Sequence, residues 1–184
     1  MNNFITIPNI ISILRIYSTI PIVYLIWLGE NHYLYALIIL IIAYVSDAVD
    51  GIIARMFNQV SDWGKILDPL GDKILSTALA ITFYQQDVVS IFFPIVVITR
   101  DLLISLFSTK MIRNTKTIRQ ASVVGKIVTL MLFVFYTLSL ISLIGMIDPR
   151  IITKIEIFII ISVFISGIYY LLIYFKTLGR VENV

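Results

Sequence analysis

Long apolar stretches alternate with short polar breaks along this chain, which predicts a series of helices. Two uncharged runs, 127–147 and 157–175, are about as long as the 20 residues that a helix needs to cross a membrane. Shorter runs reach that length only by including charged residues at one end: 16–29, 31–46, 74–86 and 88–99. We therefore predict six transmembrane helices in a single all-α domain over 1–184, at 9–28, 33–55, 67–85, 89–111, 120–146 and 152–176.

Basic residues are distributed unevenly between the two ends of the predicted helices. Twelve of the lysines and arginines fall on the side that holds both termini and the 56–66 and 112–119 loops, and only Arg150 and Lys154 fall on the other. Loops rich in basic residues stay on the cytoplasmic side of a membrane. We expect a multi-pass protein of the cell (inner or plasma) membrane whose termini and polar active-site cavity face the cytoplasm.

Composition supports this class and narrows the chemistry. Charged residues make up 14% of the chain, whereas a soluble domain carries about 25%. Because the chain has no cysteine, disulfides and thiolate metal sites are excluded, and carboxylates are the plausible metal ligands. The net charge of +3 does not indicate a nucleic-acid partner, since basic residues in a membrane protein set its topology.

Four aspartates lie at the charged ends of two neighbouring apolar helices: Asp47, Asp50, Asp68 and Asp72. A charge at the centre of a membrane span costs about 2.5–3.5 kcal/mol, so intramembrane carboxylates are candidates for a functional site. The first two share one face of their helix, the last two share a face of the next, and a short loop lets the pairs meet. A divalent cation such as Mg²⁺ would relieve their repulsion and bind substrate phosphates. The pattern indicates a metal and diphosphate site at the membrane surface.

Small residues and one arginine accompany the aspartates. Gly51 and Ala54, with Gly64 opposite them, leave room for a flat ligand or a close backbone approach. Arg55 offers a planar fork suited to phosphate oxygens. Alternatively, the aspartates only cap helix ends and pair with Arg55 and the lysines that follow it. Capping needs one acid at a helix N-terminus, not two on each of two facing helices, which favours the ligand site.

The spacing Asp-x2-Asp-Gly-x2-Ala-Arg-x8-Gly-x3-Asp-x3-Asp, from Asp47 to Asp72, resembles the signature of the CDP-alcohol phosphatidyltransferase family at all eight fixed positions. The six-helix layout and the opening Ile-Pro-Asn-Ile-Ile-Ser at 7–12 are also similar to bacterial members. The resemblance implies a homodimeric membrane enzyme. It also implies the reaction, in which CDP-diacylglycerol gives its phosphatidyl group to an alcohol and CMP is released.

The resemblance further implies roles for the matching residues. Two metal ions, Mg²⁺ or Mn²⁺, would be held by four carboxylates: Asp47, Asp50, Asp68 and Asp72. The last of these would also take the proton from the attacking hydroxyl as general base. The CDP-lipid would be bound by residues within the motif: Gly51, Ala54, Arg55, Ser61 and Gly64.

A second polar cluster bears on the acceptor alcohol. Arg100 lies inside helix 4 and Lys126 near the start of helix 5, where an idle charge is costly. Loop cations add to them, although these equally fit solvated topology markers: Arg113, Lys116 and Arg119. A basic pocket beside the CDP site suits an acceptor that carries its own phosphate.

Within the family, the chain most resembles members that use glycerol 3-phosphate, through Leu-Asp-Pro-Leu at 67–70 and Gly-Lys at 125–126. It departs from them at Gly71, where alanine is commoner in that group. It also departs at Asp101, because an aspartate directly after Arg100 is similar to the sequence of CDP-dependent cardiolipin synthases. A second lysine after Lys126 is also missing. Phosphatidylglycerol, inositol 1-phosphate and serine therefore remain alternative acceptors.

Two other function classes compete with a transferase. An ion transporter or channel would distribute its charges near the midplane or across both leaflets, whereas here they collect at the cytoplasmic helix ends. A purely structural membrane scaffold leaves the four aspartates unexplained. The transferase is the interpretation that accounts for the pattern.

Overall fold

The computed structural model describes the backbone of residues 7–56, 64–115 and 123–181, and the side chains of 10–46, 70–106 and 123–173. These ranges contain helices and turns but no strand, so the all-α prediction is confirmed. Six α-helices and one short 3-10 helix (Glu30–His32) follow in order: α1 Ile7–Leu28, α2 Tyr33–Met56, α3 Gly64–Gln85, α4 Phe92–Thr115, α5 Val123–Leu143 and α6 Pro149–Val181.

The C-terminus of α5 is set by a glycine. Gly145 has φ +89°, its N–H donates to the Ser142 carbonyl (2.9 Å), and the Met146 N–H donates to the Ile141 carbonyl (3.1 Å). This pair of bonds is the Schellman motif, which needs a left-handed residue after the helix. For that reason α5 ends at Leu143, three residues before the predicted end.

A similar turn closes α3, with an aspartate in the left-handed position. Asp87 has φ +56°, and the Val88 N–H donates to the Phe83 carbonyl at 2.9 Å. The chain needs several further residues to reverse direction. As a result α4 begins at Phe92, whereas apolar periodicity alone predicts residue 89.

The start of α6 carries two local signals. Asp148 caps the helix, since its Oδ1 accepts the Arg150 N–H at 2.8 Å. Pro149 occupies the first helical position, where its missing N–H costs nothing. The helix therefore begins at Pro149, three residues earlier than apolar periodicity predicts.

The turn before α4 is also fixed to α6 by a buried acid. Glu156 is 4% exposed, and its Oε1 accepts hydrogen bonds from both the N–H (2.8 Å) and the Oγ (2.6 Å) of Ser90. Both hydrogen bonds satisfy a carboxylate that would otherwise be buried at a high cost. Glu156 thus has a structural role at the end of the molecule opposite the aspartate motif.

Helix packing brings distant segments of the chain together. α1 lies against α2 and α3, α6 lies against α4 and α5, and further contacts join α2 to α5 and α3 to α4. Aromatic rings from three helices fill the centre, with Phe93 4.9 Å from Phe135 and Phe83 5.9 Å from Tyr136 between ring centroids. The Tyr136 hydroxyl donates to the Ser76 carbonyl at 2.9 Å, so the one polar atom of this cluster is satisfied.

Much of the surface is apolar, as in a protein surrounded by lipid. Tyr24, Leu130 and Leu172 are each more than 60% exposed, and they belong to a large set of outward-facing hydrophobic side chains. Three described segments are long and apolar enough to cross a membrane: Ile10–Leu28, Val123–Leu143 and Pro149–Ile173. A shorter apolar segment covers Glu30–Ser46.

Candidate functional site

The aspartate motif lies on the two helices that flank the 57–63 connection. Asp47 and Asp50 belong to α2 and Asp68 and Asp72 to α3, so each pair keeps the helical spacing on which the predicted site depends. Their neighbours in the motif also lie in these helices: Gly51, Ala54, Arg55 and Gly64. Ser61 lies outside the described residues. Of the whole motif only the Asp72 side chain is described, so the ligand set and the CDP-lipid contacts stay predictions.

Asp72 makes an ion pair with a residue that its own helix does not supply. The Arg15 Nη1 of α1 donates to the Asp72 Oδ1 at 2.8 Å. The arginine side chain is 2% exposed and the aspartate side chain 40% exposed. The guanidinium is therefore enclosed while the carboxylate reaches the surface of the helix bundle.

Arg15 is one of the twelve basic residues that the sequence analysis used only for topology, so this contact was missed. The signal was present, because Arg15 is the sole charged residue of α1. An ionisable residue inside an apolar span is by default a candidate for function. Nothing in the local pattern could name its partner, since Asp72 lies 57 positions further along the chain.

Gly71 is the point at which α3 comes close to α1. A β-carbon at this position would lie 3.4 Å from Ile16 Cγ1 and 3.5 Å from the Ser12 carbonyl oxygen. Both are ordinary van der Waals distances, so an alanine would fit here. A lack of space for a β-carbon therefore does not explain the glycine at this position. Beside it, Arg15 Cδ lies 4.0 Å from the same β-carbon position, so the arginine stem runs past Gly71 toward Asp72.

A second polar network joins α3 to α4. Lys73 Nζ donates to the Ser105 Oγ, which in turn donates to the Asp101 carbonyl at 2.7 Å. Arg100 Nη1 donates to the Asp101 Oδ1 at 2.7 Å, and both charged residues are more than 90% buried. The Arg100 Nε is buried and has no hydrogen-bond partner among the described residues. Sequence reasoning named Arg100 for the acceptor but missed Lys73 and Ser105.

The other predicted acceptor cations are described less fully. Lys126 is exposed on the first turn of α5, next to the buried Gly125, and so is not as deep as its place in the sequence suggested. Arg113 lies in α4, with its side chain outside the described set. Lys116 and Arg119 lie outside the described residues. The acceptor pocket therefore stays a prediction.

The carboxylate oxygens of the motif are ligands that suit a divalent metal ion. Among the described side chains, no three metal-ligating groups lie together. The motif instead supplies four carboxylates on α2 and α3, and the single one whose side chain is described, Asp72, reaches the surface of the bundle. Carboxylate oxygens are the ligands that Mg²⁺ takes in sites that also bind phosphate.

Comparison with known proteins identifies the family. Residues 5–172 match the CDP-alcohol phosphatidyltransferase family. A CDP-diacylglycerol–glycerol-3-phosphate 3-phosphatidyltransferase of Aquifex aeolicus is 30% identical over 183 residues, covering 95% of this chain and 98% of that relative. The Bacillus subtilis protein of the same name is 34% identical over 137 residues, which are 67% of this chain and 70% of that relative.

A third relative carries a different name. A CMP-forming cardiolipin synthase of Streptomyces coelicolor is 31% identical over 147 residues, 75% of this chain and 66% of that relative. All three agree with the family match, which favours the transferase over an ion transporter or a scaffold. The chain is therefore a membrane transferase of phospholipid biosynthesis and belongs to the CDP-alcohol phosphatidyltransferase family.

Proposed function

We propose that the chain transfers the phosphatidyl group of CDP-diacylglycerol to glycerol 3-phosphate, giving phosphatidylglycerophosphate and CMP. The observation that carries the proposal is the complete eight-position motif on α2 and α3, together with similarity along 98% of a relative named for this reaction. The buried Arg100 supports a phosphorylated acceptor. Its Nε has no hydrogen-bond partner within the described part of the chain, and it lies on the helix that packs against the second half of the motif.

The chemistry assigns one step to Asp72. The acceptor hydroxyl oxygen bonds to the phosphatidyl phosphorus while the bond from that phosphorus to the bridging oxygen breaks, and CMP leaves with that oxygen. The hydroxyl proton passes to the Asp72 carboxylate. A general base of this kind contributes about 10²- to 10⁴-fold to the rate, provided that it lies within hydrogen-bond reach of the hydroxyl.

Two divalent ions, Mg²⁺ or Mn²⁺, are part of the proposal. They would be held by the four aspartates of the motif: Asp47, Asp50, Asp68 and Asp72. When bound, such ions neutralise diphosphate charge and stabilise the attacking and leaving oxygens. Around them, Arg55 would pair with phosphate oxygens, while Gly51, Ala54 and Gly64 leave space for the nucleotide.

The same proposal covers topology and assembly. Six membrane spans with both termini and the polar cavity on the cytoplasmic side account for the excess of basic residues there. The family resemblance supports a homodimer in the cell membrane. Because the chain has no cysteine, single cysteines placed at Asn31, Met146, Asn58 or Asn114 can be labelled cleanly. The first two should be accessible from outside intact cells and the last two only after permeabilisation.

An acceptor panel tests the reaction. Purified protein is given CDP-diacylglycerol, Mg²⁺ and one of four acceptors: glycerol 3-phosphate, phosphatidylglycerol, inositol 1-phosphate or serine. We expect CMP release and a phosphatidylglycerophosphate product with glycerol 3-phosphate alone. No CMP release with any acceptor would reject the function, and product from another acceptor would reject the substrate assignment.

A second candidate acceptor is phosphatidylglycerol, which would make the chain a cardiolipin synthase. The Streptomyces coelicolor relative and the Arg100–Asp101 pair favour it. Phosphatidylglycerol is a lipid and reaches the site from the bilayer, so its turnover should depend on its surface concentration in mixed micelles. Turnover of glycerol 3-phosphate should depend on the bulk concentration.

A further inference from the structure

The position of Arg15 is not explained by membrane topology. A residue that only marks the cytoplasmic side lies at a helix end in contact with water or headgroups. Arg15 is instead the ninth residue of α1, and 2% of its side chain is exposed. Its aliphatic stem runs past Gly71, and its Nη1 ends 2.8 Å from the Asp72 Oδ1. A cation enclosed so completely must do something for the group that it contacts.

The chemistry of this contact suits a fixed support. A guanidinium remains protonated at every pH at which a protein is folded, so it cannot take the proton that Asp72 accepts. Its planar fork also gives a charge-assisted hydrogen bond with a defined direction. An aspartate side chain has two rotatable bonds, and 40% of this one is exposed. A hydrogen bond of fixed direction narrows the orientations that such a carboxylate can take at the site.

We propose that Arg15 is a positioning residue for Asp72: it holds one carboxylate oxygen and thereby fixes the direction in which the base meets the acceptor hydroxyl. This inference rests on the proposed function of Asp72 as general base. Arg15 does not touch substrate in this scheme. Its contribution appears in the chemical step, because a small misplacement of a reacting group costs rate rather than affinity.

The test compares Arg15→Met, Arg15→Lys and the control Arg150→Met, which removes an exposed arginine from α6. Each purified variant is assayed for kcat with CDP-diacylglycerol and glycerol 3-phosphate, for KM of both substrates, for CDP-diacylglycerol Kd and for thermal unfolding. We expect Arg15→Met to lose about 10- to 100-fold in kcat. KM and Kd should stay within about threefold, since uniform binding is not affected. Arg150→Met should behave as wild type.

Arg15→Lys separates positioning from simple charge. It keeps the cation but replaces the fork by a point charge, so we expect a kcat between those of wild type and Arg15→Met. Full kcat in Arg15→Lys or Arg15→Met overturns the proposal. So does a loss of donor affinity equal to the loss of kcat, which would make Arg15 a donor-binding residue. If Arg15→Met does not fold, Arg15→Lys alone decides by the same criteria.

Two parallel measurements keep this result distinct from the proposed function. If wild type releases no CMP with any acceptor, the proposed reaction fails and not the role of Arg15 alone. If wild type turns over but Asp72→Asn does so equally well, Asp72 is not the base. If both requirements are met and Arg15→Met is as fast as wild type, only the positioning role is wrong.

Discussion

Replacing Arg100 by alanine perturbs both a buried ion pair and the predicted acceptor site. Arg100 is 8% exposed and Asp101 6% exposed. In the described part of the structure, the Asp101 carboxylate forms an ion pair with the Arg100 guanidinium at 2.7 Å. Removing one partner of a buried pair leaves the other charge uncompensated, at a cost of about 3–5 kcal/mol. For a chain of this size, that cost lowers Tm by about 6–20 °C. Arg100→Ala should therefore lose stability whatever its role in binding.

The binding effect is separate and can be measured at a temperature where the variant is folded. If the Arg100 guanidinium pairs with the glycerol 3-phosphate phosphate, losing one charge-assisted contact costs about 1.5–3 kcal/mol, or about 10- to 150-fold in kcat/KM. Lys126 is exposed, so Lys126→Ala should show the kinetic effect without the loss of stability. CDP-diacylglycerol affinity should stay nearly unchanged in both.

The assay measures CMP release against glycerol 3-phosphate at saturating CDP-diacylglycerol, with donor Kd and Tm on the same preparations. Arg150→Ala is the matched control, because it removes an arginine from the opposite end of the molecule. Wild-type kinetics in both Arg100→Ala and Lys126→Ala would mean that neither cation binds the acceptor phosphate, and Arg100 would then serve only its buried pair with Asp101. If the Kd for CDP-diacylglycerol rose by the same factor as kcat/KM fell, Arg100 and Lys126 would instead be assigned to the diphosphate of the donor.

Five further substitutions test the motif and its packing. One predicted metal ligand is removed in each of three variants, Asp47→Asn, Asp50→Asn and Asp68→Asn. Each variant should lose turnover and remain folded. A variant that keeps more than about a tenth of the wild-type rate at saturating Mg²⁺ would remove its residue from the predicted ligand set. Asp72→Asn should lose catalysis yet bind CDP-diacylglycerol with metal in a calorimetric titration, whereas loss of donor binding would make Asp72 chiefly a ligand. Gly71→Ala should keep wild-type kcat and gain about 0.5–1 kcal/mol, seen as a higher Tm, because the β-carbon meets only ordinary contacts and alanine is the better helix former. A lower Tm would show that α1 and α3 cannot accommodate a methyl group.

Local patterns were sufficient for the helices but not for all of their ends. Apolar runs located the six described helices, because each helix carries a continuous apolar stretch. The ends depend on single residues that periodicity ignores. Gly145 stops α5 by adopting a left-handed conformation, and Asp148 with Pro149 starts α6 three residues before its apolar run suggests. These signals are present in the sequence and follow known capping chemistry.

Partners in the site are a different matter, because they depend on which helices pack together. The spacing of the motif identified Asp72, since helical periodicity is local. Its contact with Arg15 follows from the packing of α1 on α3, and the Lys73–Ser105 bond follows from the packing of α3 on α4. No periodic pattern specifies those pairings. The sequence does indicate that a lone arginine inside an apolar helix needs a partner, although it does not identify that partner.

The basic residues whose side chains the structure describes therefore form two physical groups, which a count by membrane side does not separate. Arg15, Lys73 and Arg100 contact specific groups on α3 or α4, and two of them are almost completely buried. Others, such as Lys126, are exposed and free to interact with water or headgroups. Only the second group needs the positive-inside rule to explain its position. The enclosed cations need a local reason, and the contacts give one: Arg15 pairs with Asp72 on α3, and Arg100 pairs with Asp101 on its own helix.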